Sequence, residues 1–136
     1  MAELARRRAA QRASGNVTIL EGDAADAGVR DHFDYATASL VLHGVSRQER
    51  GALLETMRSA AEALIIADYP AEGLSLLDRI SMDIPEFLAG PAHFRHFRSY
   101  RADGGIPALL QRHGLRPEKC VSASAGAYRV VLAAAE

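Results

Sequence analysis

Tryptophan is missing from these 136 residues, cysteine occurs once, and neither sign of charge prevails, with 16 Lys and Arg against 17 Asp and Glu. A lone cysteine excludes an intramolecular disulfide framework and fits a reducing compartment. Cys120 follows Glu118-Lys119 in an apolar and polar alternation and reads as a strand residue rather than a nucleophile. A net charge of -1 gives no overall field that would draw the chain to nucleic acid or to anionic lipid. The one basic cluster, Arg6, Arg7, Arg8 and Arg12, reads as the solvated face of an opening helix. No stretch approaches the roughly 18 apolar residues needed to span a bilayer, and Arg6 to Arg12 interrupt any signal-peptide core. The expectation is a cytoplasmic protein with no membrane or nucleic-acid partner. Neither a Gly-x-Ser-x-Gly elbow nor a P-loop occurs, so serine acyl transfer and P-loop nucleotide hydrolysis find no support.

What is present suits one packed domain over residues 1–136: hydrophobic residues make up 49% and charged residues 24%. Residues 2–13 are strong helix formers stopped by Ser14-Gly15-Asn16. Val17 to Leu20 is a short β-branched run that predicts a buried strand, and Phe33 to Leu42 predicts a second one buried on both faces. Ser46 with Glu49 forms a capping box, after which Leu53, Leu54, Met57, Ala60 and Ala61 recur at helical spacing. Ala63 to Ala67 is a third apolar run, closed by Asp68-Tyr69-Pro70. Gly73 to Leu88 is helical in pattern, Gly90-Pro91 breaks it, and Ile106 to His113 is a shorter helix. Residues 121–125 and 128–133 predict two strands joined by a tight turn at Gly126. The fold class expected is α/β, with a mostly parallel sheet ending in an antiparallel hairpin.

Open α/β sheets gather ligands at the carboxyl ends of their parallel strands. That rule places Glu21-Gly22-Asp23, Ser39 to His43 and Asp68-Tyr69 along one crevice, although each alone is also an ordinary strand terminus. In order, Glu-Gly-Asp-Ala-Ala-Asp at 21–26, Phe-Asp-Tyr-Ala-Thr-Ala-Ser-Leu-Val-Leu-His at 33–43 and Leu-Ile-Ile-Ala-Asp-Tyr at 64–69 resemble successive motifs of class I S-adenosylmethionine-dependent methyltransferases. The likeness is to small-molecule methylases of the ubiquinone and menaquinone type. It implies a partial Rossmann-like methyltransferase sheet, S-adenosylmethionine as cofactor and a small-molecule substrate. It also implies that Gly22, Asp23 and Ala24 border the adenine, with Asp23 on its amino group. Ala38, Ser39 and Leu40 then border the methionine part, and His43 faces the substrate. The general base is expected at His43 or Tyr69.

The sequence departs from that pattern in lacking the Gly-x-Gly-x-Gly turn and the ribose-binding acid. Only glycine lets the backbone approach a ligand so closely at such a turn, so poor cofactor binding by the chain alone is expected. The alternative is a non-catalytic interaction or assembly module derived from a methyltransferase. In the resembling fold the sheet order is 3-2-1-4-5-7-6, which leaves Phe33 to Leu42 with an uncovered edge and leads us to expect a homodimer sharing the N-terminal helix and strand.

Residues 71–115 correspond to the variable substrate-side region, expected to form a lid. There His93, Arg95, His96, Arg98 and Tyr100 make the densest polar and aromatic cluster. A solvated face is the plain reading. As a lid it would offer His93, Arg95 and His96 to an anionic or carbonyl-bearing acceptor. Histidines at i and i+3 without a nearby acid or cysteine pair are weak metal spacing, so no metal is expected.

Overall fold

The computed structural model describes residues 2–12, 15–23 and 33–135. Helix α1 (Ala2–Gln11) opens the chain and buries none of its residues. Strand β1 (Phe33–Ser39), a 3-10 turn (Leu42–Gly44), helix α2 (Arg47–Ala60) and strand β2 (Ala61–Asp68) follow. Helices α3 (Leu76–Leu88), α4 (Pro91–Ala102) and α5 (Gly105–Arg112) come next, and strands β3 (Leu115–Ala123) and β4 (Tyr128–Ala135) close the chain.

The sheet runs β1-β2-β4-β3, which matches the 4-5-7-6 portion of the order that the resemblance implies. β1 pairs with β2 in parallel, from Phe33 opposite Ala61 to Ser39 opposite Ala67. β2 pairs antiparallel with β4, setting Leu64 against Ala133 and Ile66 against Val131. The expected hairpin is present, but β3 starts at Leu115, well before residue 121, with a register irregularity between Pro117 and Lys119. Proline cannot donate to a ladder, which accounts for an irregularity at that point of an outer strand.

Val17 to Leu20 forms no strand, contrary to the sequence reading: this stretch joins no ladder, and Val17 and Leu20 are exposed. A strand exists only through its neighbours' hydrogen bonds, and among the described residues none runs beside this one. Among the described residues the parallel part of the sheet is therefore the single pair β1–β2.

The capping box starts α2 as expected, with Ser46 N donating to Glu49 Oε2 and Glu49 N to Ser46 Oγ. The same device, Ser75 with Asp78, starts α3. Gly90 at φ 117° turns the chain into α4, a conformation that glycine accepts without steric cost, and Pro91 then occupies the first helical position. The core lies on one side of the sheet, where Leu64, Ile66 and Val131 meet Leu54 of α2 and Ile106 and Leu110 of α5.

Helix α3 is turned against the usual rule. Leu76, Leu77, Ile84, Phe87 and Leu88 are exposed while Glu86 is buried.

Candidate active site at the exits of the first two strands

β1 and β2 run side by side and end together, so their carboxyl-terminal exits lie next to each other. Leu40 N donates to Ala67 O at 2.8 Å, extending the ladder by one bond. Leu40 itself sits at φ 55°, a left-handed conformation that costs a non-glycine residue about 1–2 kcal/mol. That bend leads into the 3-10 turn and brings His43 back over the end of β2.

There His43 meets Asp68. Its Nδ1 lies 2.6 Å from Asp68 Oδ1, and both side chains are buried. Asp68 Oδ2 accepts from Leu42 N at 2.9 Å and from His43 N at 3.3 Å, while Oδ1 also accepts from Tyr69 N at 2.8 Å. A fully buried carboxylate thus sits in a cradle of backbone amides that fixes the whole turn. Since a carboxylate only accepts, the His43 Nδ1 proton points at Asp68, and in the neutral ring Nε2 carries the lone pair.

Nε2 faces a second buried acid, Glu86 of α3, at 3.6 Å from Oε2. The same Oε2 is 2.5 Å from His93 Nε2 on α4. The His93 ring packs edge-on to His43 with centroids 5.5 Å apart, and Tyr69 does so at 4.8 Å. Burial, and then the negative charge of Glu86, push the Tyr69 phenol up to about 12. Tyr69 therefore stays protonated and can donate but not abstract. Beside it an open groove runs between α3 and the β3–β4 turn, lined by Tyr69, Asp78, Ser81, Pro85 and Tyr128.

A second layer holds this arrangement in place. Arg50 of α2 is almost wholly buried and donates from Nε to Leu42 O and Val45 O, from Nη2 to His96 O, and from Nη1 to Asp103 Oδ2. Tyr100 OH donates to Tyr69 O at 3.0 Å. Gly44 leaves room for His93, since a Cβ there would lie 2.7 Å from His93 Cε1.

Of the residues singled out from sequence, the structure brings Ala38, Ser39, Leu40, His43, Tyr69 and His93 to this end of the sheet. His96 is half-buried behind them, with Nδ1 3.1 Å from Gly44 O. Arg95 is exposed, Gly22 and Asp23 lie on an exposed segment that belongs to no strand, and Ala24 falls outside the described residues. Residues 71–115, expected to form a lid, carry α3, α4 and α5, and the cluster at 93–100 lies on α4 with Phe97 and Tyr100 buried. Glu86 and Arg50 were not singled out. Charged residues on helices are read as solvated, and the only hint was an acid directly after Pro85 in a mostly apolar helix.

No protein-family model and no curated protein matches the chain. Solved structures do. The mitomycin 7-O-methyltransferase MmcR is similar over 99% of this chain and 39% of its own, with a TM-score of 0.73 and 22% identity. An O-methyltransferase from neocarzinostatin biosynthesis, solved with S-adenosylmethionine and a hydroxynaphthoic acid, gives 0.71 and 19% over 99% of this chain and 38% of its own. Magnesium protoporphyrin IX methyltransferase from Synechocystis, solved with bound S-adenosylhomocysteine, gives 0.67 and 20% over 100% of this chain and 60% of its own. The chain spans less than two-thirds of the length of each. Its α/β architecture is that of a portion of the small-molecule methyltransferase fold.

Proposed function

We propose that this chain forms the acceptor-side part of an S-adenosylmethionine-dependent methyltransferase site that methylates a hydroxyl of a small molecule, with His43 as general base. The observation that supports it most is the buried 2.6 Å contact of His43 Nδ1 with Asp68 at the joint exit of β1 and β2. Asp68 fixes the tautomer and ring orientation, so Nε2 can take the proton of an acceptor hydroxyl as the oxygen attacks. Asp68 also faces the charge that then develops on the imidazole. With Tyr69 held as a neutral phenol, His43 is the better base of the two, and Tyr69 serves as a donor that orients the acceptor. His93 on α4 closes the acceptor side beside His43, while His96 supports the turn from behind through Gly44 O and Arg95 is exposed.

Bound S-adenosylmethionine supplies an electrophilic methyl group on a sulfonium. On the resemblance, Ala38, Ser39 and the left-handed Leu40 would hold its methionine part. Gly22 and Asp23, on an exposed segment, would border its adenine, and because the sequence has no Gly-x-Gly-x-Gly turn weak binding by the chain alone is expected. Calorimetric titration with S-adenosylhomocysteine tests this. Saturable binding that Asp23→Ala weakens supports the catalytic reading, and silence to millimolar concentration opposes it.

Silence would favour a second reading, a non-catalytic assembly module. The exposed apolar face of α3 and the outer edge of β1, where Phe33 and Tyr35 are exposed, support that one. Pairing of two β1 edges in a homodimer is compatible with both readings.

A further inference from the structure

We propose that His43, Glu86 and His93 form a binding site for one divalent transition-metal ion of the zinc type. The inference goes beyond methyl transfer and does not depend on it. These residues come from the turn after β1, from α3 and from α4, and their ligand atoms all lie within 4.8 Å of one another.

Three observations carry it. First, the lone pair of His43 Nε2 and the carboxylate of Glu86 face each other at 3.6 Å, two acceptors with no hydrogen of their own to share. Such a pair is stabilised by a donor or a cation between them. Zinc bonds of about 2.0–2.2 Å put neighbouring ligand atoms of a tetrahedral ion roughly 3.3–3.5 Å apart, so this spacing suits it, and the 2.5 Å contact of Glu86 Oε2 with His93 Nε2 would open by about 1 Å as the ion takes the place of the shared proton. Second, Glu86 is buried, and among the described residues it meets two imidazoles and the Tyr69 phenol but no ammonium or guanidinium. A buried carboxylate calls for a compensating positive charge. Third, the site has the outer support typical of metal histidines. Asp68 holds His43 by Nδ1, which turns Nε2 toward Glu86 and raises its strength as a ligand. Gly44 gives His93 the space to lean in.

Two histidines and one carboxylate leave a fourth position for water or an acceptor oxygen, and this set favours zinc over calcium or magnesium, which prefer oxygen alone. The set differs from the His93 and His96 pair, whose spacing was read as too weak for a metal, and His96 Nδ1 is directed at Gly44 O. A metal on Nε2 would occupy the atom proposed to take the acceptor's proton, so the ion would silence His43 as a base.

The test uses protein stripped by chelation, without cofactor, so its outcome is separate from that of the catalytic reading. Zinc alone is titrated in competition with a chromophoric chelator, and cobalt is substituted to read geometry from its visible absorption. One ion per chain is expected, with His93→Ala and Glu86→Gln each weakening binding by at least about tenfold and Asp68→Asn by about 10–100-fold. Because the His93 side chain is 32% exposed, His93→Ala should leave the fold intact, which circular dichroism verifies. Absence of stoichiometric binding would overturn the proposal. So would zinc affinity unchanged in His93→Ala, which would move the ion to another site such as His113 with Glu55.

Discussion

Asp68 ties together the ends of two adjacent strands through His43: one carboxylate takes the Leu42, His43 and Tyr69 backbone amides as well as the imidazole Nδ1. Structure and chemistry therefore depend on the same group. Asp68→Ala should destabilise the fold by about 3–5 kcal/mol, since each buried amide left unpaired costs about 1–3 kcal/mol. Urea unfolding with an unchanged slope would show this as a lower midpoint. A shift below about 1 kcal/mol would mean that the cradle is replaced by water.

Arg50 with Asp103 gives a pH-dependent term. The Arg47 guanidinium, hydrogen-bonded to Asp103, holds the Asp103 carboxyl below its usual range against the opposing effect of burial, and Arg112 and Arg50 add to the lowering. A carboxyl lowered on folding contributes stability that is present above its unfolded pKa and lost as pH falls through the folded one. Asp103→Asn should thus cost about 1–3 kcal/mol near neutrality, from a buried Arg50 that keeps only its carbonyl partners. The gap between variant and parent should close in acid. Thermal melts across pH measure it, and a pH-independent gap would contradict it.

Much of this was legible in the sequence. The capping box of α2, the apolar runs around which β1 and β2 form, and the Gly126 turn all depend on local chemistry. But β1 ends at Ser39 and is exposed at Phe33 and Tyr35 rather than buried on both faces as expected, because it is the outer strand of the described sheet. Val17 to Leu20 had the composition of a strand but not the neighbour that a strand requires. Glu86 and Arg50 were hidden for a different reason. Their burial depends on which way a helix faces, and α3 turns its leucines outward. The pairing of His43 with Glu86 and His93 spans 43 to 50 positions of chain, so no spacing rule could show it. Tyr100, read with the polar cluster at 93–100, is buried and anchors α4 together with Phe97.

Gly44 is the next point of leverage. Gly44→Ala would push a methyl group against His93, and the half-exposed ring can swing toward solvent. Stability should change by no more than about 1 kcal/mol, while the His93 contact with Glu86 is lost. Zinc affinity should fall as it does in His93→Ala. A crystal structure with His93 unmoved would contradict this.

The exposed apolar residues of α3 should matter for association and not for folding. Leu77→Ser and Leu88→Ser, at positions 78% and 77% exposed, should alter unfolding free energy by under about 0.5 kcal/mol. Tyr35→Lys on the outer strand should weaken self-association, because charge on an edge strand opposes edge pairing. Light scattering over a dilution series reads both, and a monomer at high micromolar concentration in the parent chain would end the homodimer reading.

The central claim is that His43 carries its proton on Nδ1, held by Asp68, and keeps Nε2 free to accept another. Long-range nitrogen–proton correlation NMR on metal-free protein at mildly alkaline pH measures that directly. A neutral His43 ring with a protonated Nδ1 and a pyridine-like Nε2, reverting toward the usual tautomer mixture in Asp68→Asn, is the expected result. A His43 ring protonated on Nε2 in the parent protein would contradict the claim.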